Sequence, residues 1–236
     1  MTQPIALALA QMSDPPFRRV LIKSLLLTAL VYAACGAAAW WGFGLLPENW
    51  GWVPWEWLQV ALDWLAGGAF IFLLIVLFPA AATLSIGLFL DEIASAVEAR
   101  HYPSDVPGKE TPVSDSLLLG VRFTAGLVAL NLAVVPLYLL TFWIPFVGVI
   151  IFYGLNGYLL GREYFELVAQ RHGTPIEVRK LRKLFRNSIL WRGVVVAVLL
   201  MIPVVNFVVP LFATAWMVHI FKRLERQAQA EFGAAG

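Results

Sequence analysis

The chain has 236 residues, of which 60% are hydrophobic and 14% charged, and its formal net charge is +2. Soluble globular domains carry about 25% charged residues, so this balance excludes one and describes an all-α integral membrane protein built as a single membrane domain. A net charge this small says little about partners; the placement of the basic residues says more.

No basic residue precedes Arg18 and no cleavage site follows a short apolar core, so no secretory signal is expected. Residues 1–14 form a mildly apolar lead-in, read as a surface helix. Asp14-Pro15-Pro16-Phe17-Arg18-Arg19 follows. Prolines suit the first turn of a helix, where a missing donor costs nothing. Arg18 and Arg19 then sit near a helix start, whose free amides and dipole favour anions. The same pair also reads as a positive-inside anchor, the commoner use of arginines that flank a span. The first transmembrane helix is expected over about 18–47. Cys35 stands alone in its apolar run, which excludes a disulfide framework and a cysteine-built metal site.

Trp40 and Trp41, then Trp50, Trp52, Trp55, Trp57 and Trp64, form an aromatic stretch in which only Glu48, Glu56 and Asp63 are charged. An aromatic belt without basic residues belongs at the far membrane surface. A second transmembrane helix, about 64–100, returns from it, with Pro79 as a kink and Gly67-Gly68 as a place for close helix packing. It runs on through Asp91 to Arg100 and ends before Pro103. Asp91, Glu92, Ser95 and Glu98 fall on one face of it, read by default as a solvated face and otherwise as a guide for ions. Residues 101–116 are a polar connection rich in proline.

Two uncharged blocks follow, Phe123 to Gly161 and Gly193 to Phe221. A crossing takes about 20 apolar residues; the second block is too long for one and too short for two with a turn. Each is interrupted by the same phrase, Ile144-Pro145-Phe146-Val147-Gly148 and Ile202-Pro203-Val204-Val205-Asn206. Proline ends or kinks a helix, and Gly148 and Asn206 tolerate a left-handed turn. The pattern predicts two part-inserted helical hairpins, about 117–170 and 189–224, with tips that face a partner or a wetted route. Tilted or kinked single spans are the plain alternative. At the exit of the first block, Arg162 and Glu166 have the spacing of an ion pair.

Between the blocks, Thr174-Pro175-Ile176-Glu177 reads as a capping box. The helix it opens, about 175–188, places Val178, Leu181, Leu184, Phe185 and Ile189 on one side. Arg179, Arg182, Lys183 and Arg186 fall on the other, as expected for an amphipathic basic helix on an anionic leaflet. No nucleic-acid motif accompanies it. If both blocks are hairpins, the basic clusters at 18–23, 171–192 and 222–226 share one side. The positive-inside rule makes that side cytoplasmic, with both termini there.

Nothing in the sequence points to an enzyme. His101, His172 and His219 lack carboxylates or cysteines at ligand spacing, Ser85 and Ser95 lack a nucleophile context, and no phosphate-cradling loop occurs. His219 reads as a satisfied packing residue. No metal or other cofactor is implied.

Three features together resemble the CysZ-type sulfate permease family of bacterial inner membranes, or the wider group of similar membrane proteins around it. They are the paired arginines after a proline turn, the Val97-Glu98-Ala99-Arg100 end of the second long helix, and the two Ile-Pro phrases ending in Gly148 and Asn206. The resemblance implies two long transmembrane helices, two part-way hairpins and a homo-oligomer. It also implies transport of sulfate or sulfite toward cysteine biosynthesis. Arg18 and Arg19 would bind the anion, with Glu98, Arg100 and Asn206 as candidate positions along its path. The family commonly has glycine where Pro16 stands here. The run Gly161-Arg162-Glu163-Tyr164-Phe165-Glu166 looks more like the wider group. The rival expectation is a non-transporting inner-membrane protein that organises lipids or partners through Arg179, Lys183 and Arg186.

Overall fold

The computed structural model describes residues 2–44, 54–109, 129, 132–141, 143, 144, 146–202 and 205–232. Trp50, Trp52, Pro145 and Pro203 lie outside them. The described residues are helical with short connections and contain no strand. In chain order the helices are α1 (Thr2–Gln11), α2 (Pro15–Phe43), α3 (Glu56–Gly87), α4 (Leu90–His101), α5 (Leu132–Thr141), α6 (Val147–Ala169), α7 (Pro175–Leu184), α8 (Arg186–Leu200) and α9 (Val209–Phe232). Contacts divide the chain into two compact units, one of residues 21–87 and one of residues 1–20 with 88–236.

The smaller unit consists of most of α2 together with α3. Tyr32 meets Phe78 edge-on, the Gly36 position meets Leu74, and Trp40 meets Phe70. Each four-residue step up α2 is a four-residue step down α3, so the two helices run antiparallel, joined on single stripes. Many of their large apolar side chains are exposed, among them Leu26, Leu30, Leu65, Phe72 and Ile75. Pro15–Gly42 and Glu56–Ile75 are each long and apolar enough to cross a bilayer, and the most apolar window of the second has no buried residue. Helices that are apolar all round must be covered by protein or lipid. Trp40, Trp41, Trp55, Trp57 and Trp64 are exposed.

The second long helix does not continue to Arg100. It stops at Gly87, and Leu88 and Phe89 form a turn before α4 begins. Phe89 adopts φ −108°, ψ 4°, outside the helical region, so the acidic segment is free to take its own direction. Among the described residues Gly67 and Gly68 have nothing within 4 Å of where a Cβ would lie.

In the larger unit α9 is the central helix. Val209, Leu211, Phe212, Ala213, Ala215, Trp216, Met217, Val218, Ile220 and Phe221 are all buried, consistent with a segment that is hydrophobic around its whole circumference. Helices α1, α4, α6, α7 and α8 all touch it. Pro210 lies in its first turn, and the Thr214 hydroxyl donates to the Pro210 carbonyl at 2.9 Å.

Helices α6 and α8 pack closest of all. A Cβ on Gly193 would lie 1.8 Å from the Gly157 carbonyl oxygen, and one on Gly161 would lie 2.6 Å from the Ile189 carbonyl oxygen. Gly157 and Gly161, four apart on α6, thus form the flat strip against which Gly193 of α8 rests. Among the described residues the close helix packing falls at these glycines rather than at Gly67-Gly68.

Both interrupted blocks break where expected. The first has α5 ending at Thr141 and α6 starting at Val147; the second has α8 ending at Leu200, a single 3-10 turn over Val205–Phe207, and then α9. The left-handed residue is neither Gly148 nor Asn206. It is Phe146, with φ 68°, and among the described residues no other has positive φ. Gly148 is already inside α6, and Asn206 is in the middle of the 3-10 turn.

Candidate functional site

The first turn of α2 carries the paired arginines. Pro15 and Pro16 are its first two residues, with Asp14 just before. A helix start ordinarily leaves four amides free. Here Asp14 donates to the Gln11 carbonyl at 2.9 Å and the two prolines have no N–H. Only the Phe17 amide is left, since Arg18 N–H already closes the first helical bond to Asp14 O at 3.1 Å. The backbone therefore adds little to an anion site at this end; the guanidinium groups must do the work. Phe17 and Val20 are buried, which turns Arg18 and Arg19 outward; both are exposed. Neither makes an ion pair among the described residues.

Asp14 is held by Arg100, the last-turn cation of α4, through an ion pair. This fixes α4 across the start of α2. A cleft of about 310 Å³ lies at the junction, lined by Gln11, Asp14, Phe17, Ala96 and Arg100 among others. The arginine pair does not line it.

The acidic face of α4 is solvated only in part: Glu92 is exposed, while Glu98 is buried. Asp91, Ser95 and Glu98 close on Arg171, whose side chain is fully buried. Its Nη1 donates to Asp91 Oδ1 at 3.1 Å, and its Nη2 donates to Ser95 Oγ at 2.7 Å and to Glu98 Oε2 at 3.2 Å. Glu98 also meets His172 Nε2 at 2.9 Å and accepts from the Gly108 amide at 3.2 Å. Burial alone would push the Glu98 carboxyl up; the hydrogen bonds and charge of His172 and Arg171 overcome this and hold it at about 2. The loop 102–109 is sewn in as well, since Lys109 N–H donates to Arg171 O at 2.9 Å. A Cβ on Gly108 would lie 2.8 Å from Arg171 Nε, so this position has no room for a side chain.

Arg171 is the residue that sequence reasoning missed. It sits where α6 ends, between two turn residues, and its only trace in the sequence is the set of acceptors at 91, 95 and 98, spaced for one helical face. Arg162 and Glu166 do pair, at 3.0 Å. Arg182 was expected on the outer face of α7; it turns inward and places Nη1 3.2 Å from Glu166 Oε1. The capping box at Thr174 and Glu177 is present in both directions. Arg179, Lys183 and Arg186 are exposed.

The candidate path positions are not brought together. Glu98 is enclosed in the Arg171 cluster, Arg100 is bound to Asp14, and Asn206 is exposed at the turn between α8 and α9. His219 is a satisfied core residue, with Nδ1 2.9 Å from Tyr102 Oη and Nε2 3.3 Å from Gln11 Oε1.

A search of curated proteins returns no match to this chain. A family comparison does: residues 5–210 match the family described as Sulfate transporter CysZ/Etoposide-induced protein 2.4. The match takes in the arginine pair, the α4 cluster, the first interrupted block and the second as far as residue 210, and by it the chain belongs to that family of transporter-like membrane proteins.

Proposed function

We propose that the protein conducts sulfate, or a similar oxyanion such as sulfite, across the bacterial inner membrane, toward cysteine biosynthesis. The observation that carries this reading is the pair of exposed guanidinium groups at Arg18 and Arg19, free of carboxylates, at the edge of an apolar helix. Family membership supports it. A charged group at mid-membrane costs about 2.5–3.5 kcal/mol even on insertion scales, so a dianion needs a collecting charge at the entrance and a wetted route behind it. Arg18 and Arg19 serve as the collector on the cytoplasmic side. The route forms between protomers of a homo-oligomer, where the tips of two part-inserted hairpins meet; arms such as α8, with 15 residues spanning about 22 Å, fall short of the roughly 30 Å core.

Labelled sulfate flux into proteoliposomes tests this. Replacing Arg18 and Arg19 by Ala lowers flux about tenfold or more, since a hydrogen bond to a charged group contributes about 1.5–3 kcal/mol. Flux no greater than that of empty liposomes for the unaltered protein removes the reading.

One observation favours a second reading. The basic helix expected over 175–188 is broken at Phe185. Yet Arg179 and Lys183 on the capped helix α7 and Arg186 at the start of α8 are all exposed, beside the exposed apolar Ile176 and Leu184, a combination suited to an anionic leaflet. A protein that organises lipids or partners without transport needs no more. It requires liposome binding that falls with those three side chains and is indifferent to sulfate.

A further inference from the structure

A second basic site lies away from the arginine pair, at the far end of α9. A cleft of about 340 Å³ opens there between α9 and the start of the 102–109 loop. Its lining includes Tyr102, Lys222, Arg223, Arg226 and Gln227. Lys222 is 3% exposed, so its ammonium has left water and must be compensated. Asp105 does this, 3.2 Å from Lys222 Nζ, with Glu225 more distant at 3.9 Å.

Asp105 is also the acidic neighbour of Arg226, but at 3.7 Å, beyond hydrogen-bond length. Arg226 instead holds its guanidinium 5.5 Å from the centre of the Tyr102 ring, which fixes its position without using its donors. Arg223 makes no ion pair among the described residues. Three cations therefore face two carboxylates, Asp105 and the more distant Glu225, with two guanidinium forks and the Gln227 amide left with donors to give. The floor is the Tyr102 ring and the stems of the long side chains. Planar forks of this kind fit the oxygens of a tetrahedral anion better than an ammonium does.

We infer that this cleft is an oxyanion site, built by Lys222, Arg223, Arg226 and Gln227 for a phosphate- or sulfate-type group, in which Asp105 stands as the built-in competitor. The group arrives free in solution or as the headgroup of an anionic lipid; both present the same oxygens. The site is independent of Arg18 and Arg19. Entry of the anion draws Arg226 from Asp105, so the loop that carries Asp105, pinned at its other end by Lys109 and Arg171, reports occupancy to the buried cluster of α4.

The test uses the full-length purified protein in detergent, titrated calorimetrically with inorganic phosphate and with sulfate. The same protein in nanodiscs of phosphatidylcholine, with or without phosphatidylglycerol, is followed by thermal unfolding, since a ligand that binds only the folded state raises its stability. Phosphate or sulfate binding that persists in the Arg18→Ala, Arg19→Ala protein and is lost when Arg223→Gln and Arg226→Gln are added to it supports a soluble ligand. A phosphatidylglycerol-dependent stabilisation with the same mutational pattern, and no free-anion binding, supports a headgroup. In either arm Asp105→Asn tightens binding roughly tenfold, a change of about 1.4 kcal/mol, which a purely structural Asp105 would not do. The inference is overturned if no arm shows binding, if adding Arg223→Gln and Arg226→Gln to the Arg18→Ala, Arg19→Ala protein leaves binding intact, or if Asp105→Asn weakens it. Sulfate flux unaffected by Arg18 and Arg19 would sink the transport reading and leave this one standing.

Discussion

Arg171 shows how much one side chain can hold. It joins the acidic face of α4 to the end of α6 and, through its carbonyl, to the 102–109 loop. Removing one partner of a buried ion pair leaves an uncompensated charge, so Arg171→Ala costs about 3–5 kcal/mol, measured by thermal unfolding in detergent. The joint replacement of Arg171 and Glu98 by Leu costs less than the sum of the single changes, because neither charge is left behind. The pH dependence has a fixed sign. Glu98 is held at about 2, below its ordinary 4.5, so the stability it contributes is complete above about pH 4.5 and drains away as pH falls toward 2. The unaltered protein therefore loses more stability across that window than Glu98→Gln does. The sequence made the acceptors legible, because Asp91, Ser95 and Glu98 repeat at helical spacing. It hid the donor, because Arg171 lies 73 residues from Glu98 in a turn, where no periodicity marks a residue as facing inward.

At the scale of elements, the α6–α8 pair depends on three glycines. Gly193→Ala forces a methyl onto the Gly157 carbonyl, and overpacking of this kind costs about 1–3 kcal/mol. Gly154→Ala on the same α6 meets nothing within 4 Å and gains about 0.5–1 kcal/mol in helix propensity. Thermal unfolding of the two variants in one detergent measures the opposite signs. The helix breaks near 145 and 203 were legible because proline acts on its own neighbours. Which glycines pack was not, since Gly67-Gly68 and Gly157–Gly161 look equally suited until the facing helix is known. The stop at Gly87 was hidden for a related reason: Leu88 and Phe89 are apolar and continue the pattern, and nothing in their chemistry announces a turn.

For the molecule as a whole, the expected arrangement places α7 and the end of α9 on one membrane side. Lys180→Cys and Arg226→Cys, each in a Cys35→Ala background, are expected to react with an impermeant thiol reagent from the cytoplasmic face alone. Labelling of position 180 from the opposite face makes each uncharged block a single crossing and ends the hairpin arrangement. Membrane character was the most legible property of the chain, because it rests on composition and on two long apolar windows that the structure leaves bare. The paired arginines were legible as a motif, but the two prolines that advertise the helix start also strip it of amide donors, which only the hydrogen-bond pattern around Asp14 makes plain.

Phe146 sets two environments against each other. Its left-handed backbone costs about 1–2 kcal/mol relative to an ordinary residue conformation, yet its ring is 78% exposed and repays nothing to the fold around it. Glycine at 146 relaxes the bend and raises the melting temperature of the micelle-solubilised protein. In a bilayer the same change deletes an aromatic anchor from the apex of the bend, and lipid contact there weakens. A variant that gains heat resistance in a micelle and loses it in a nanodisc is the expected signature of a bend whose strain is held by the surrounding hydrocarbon.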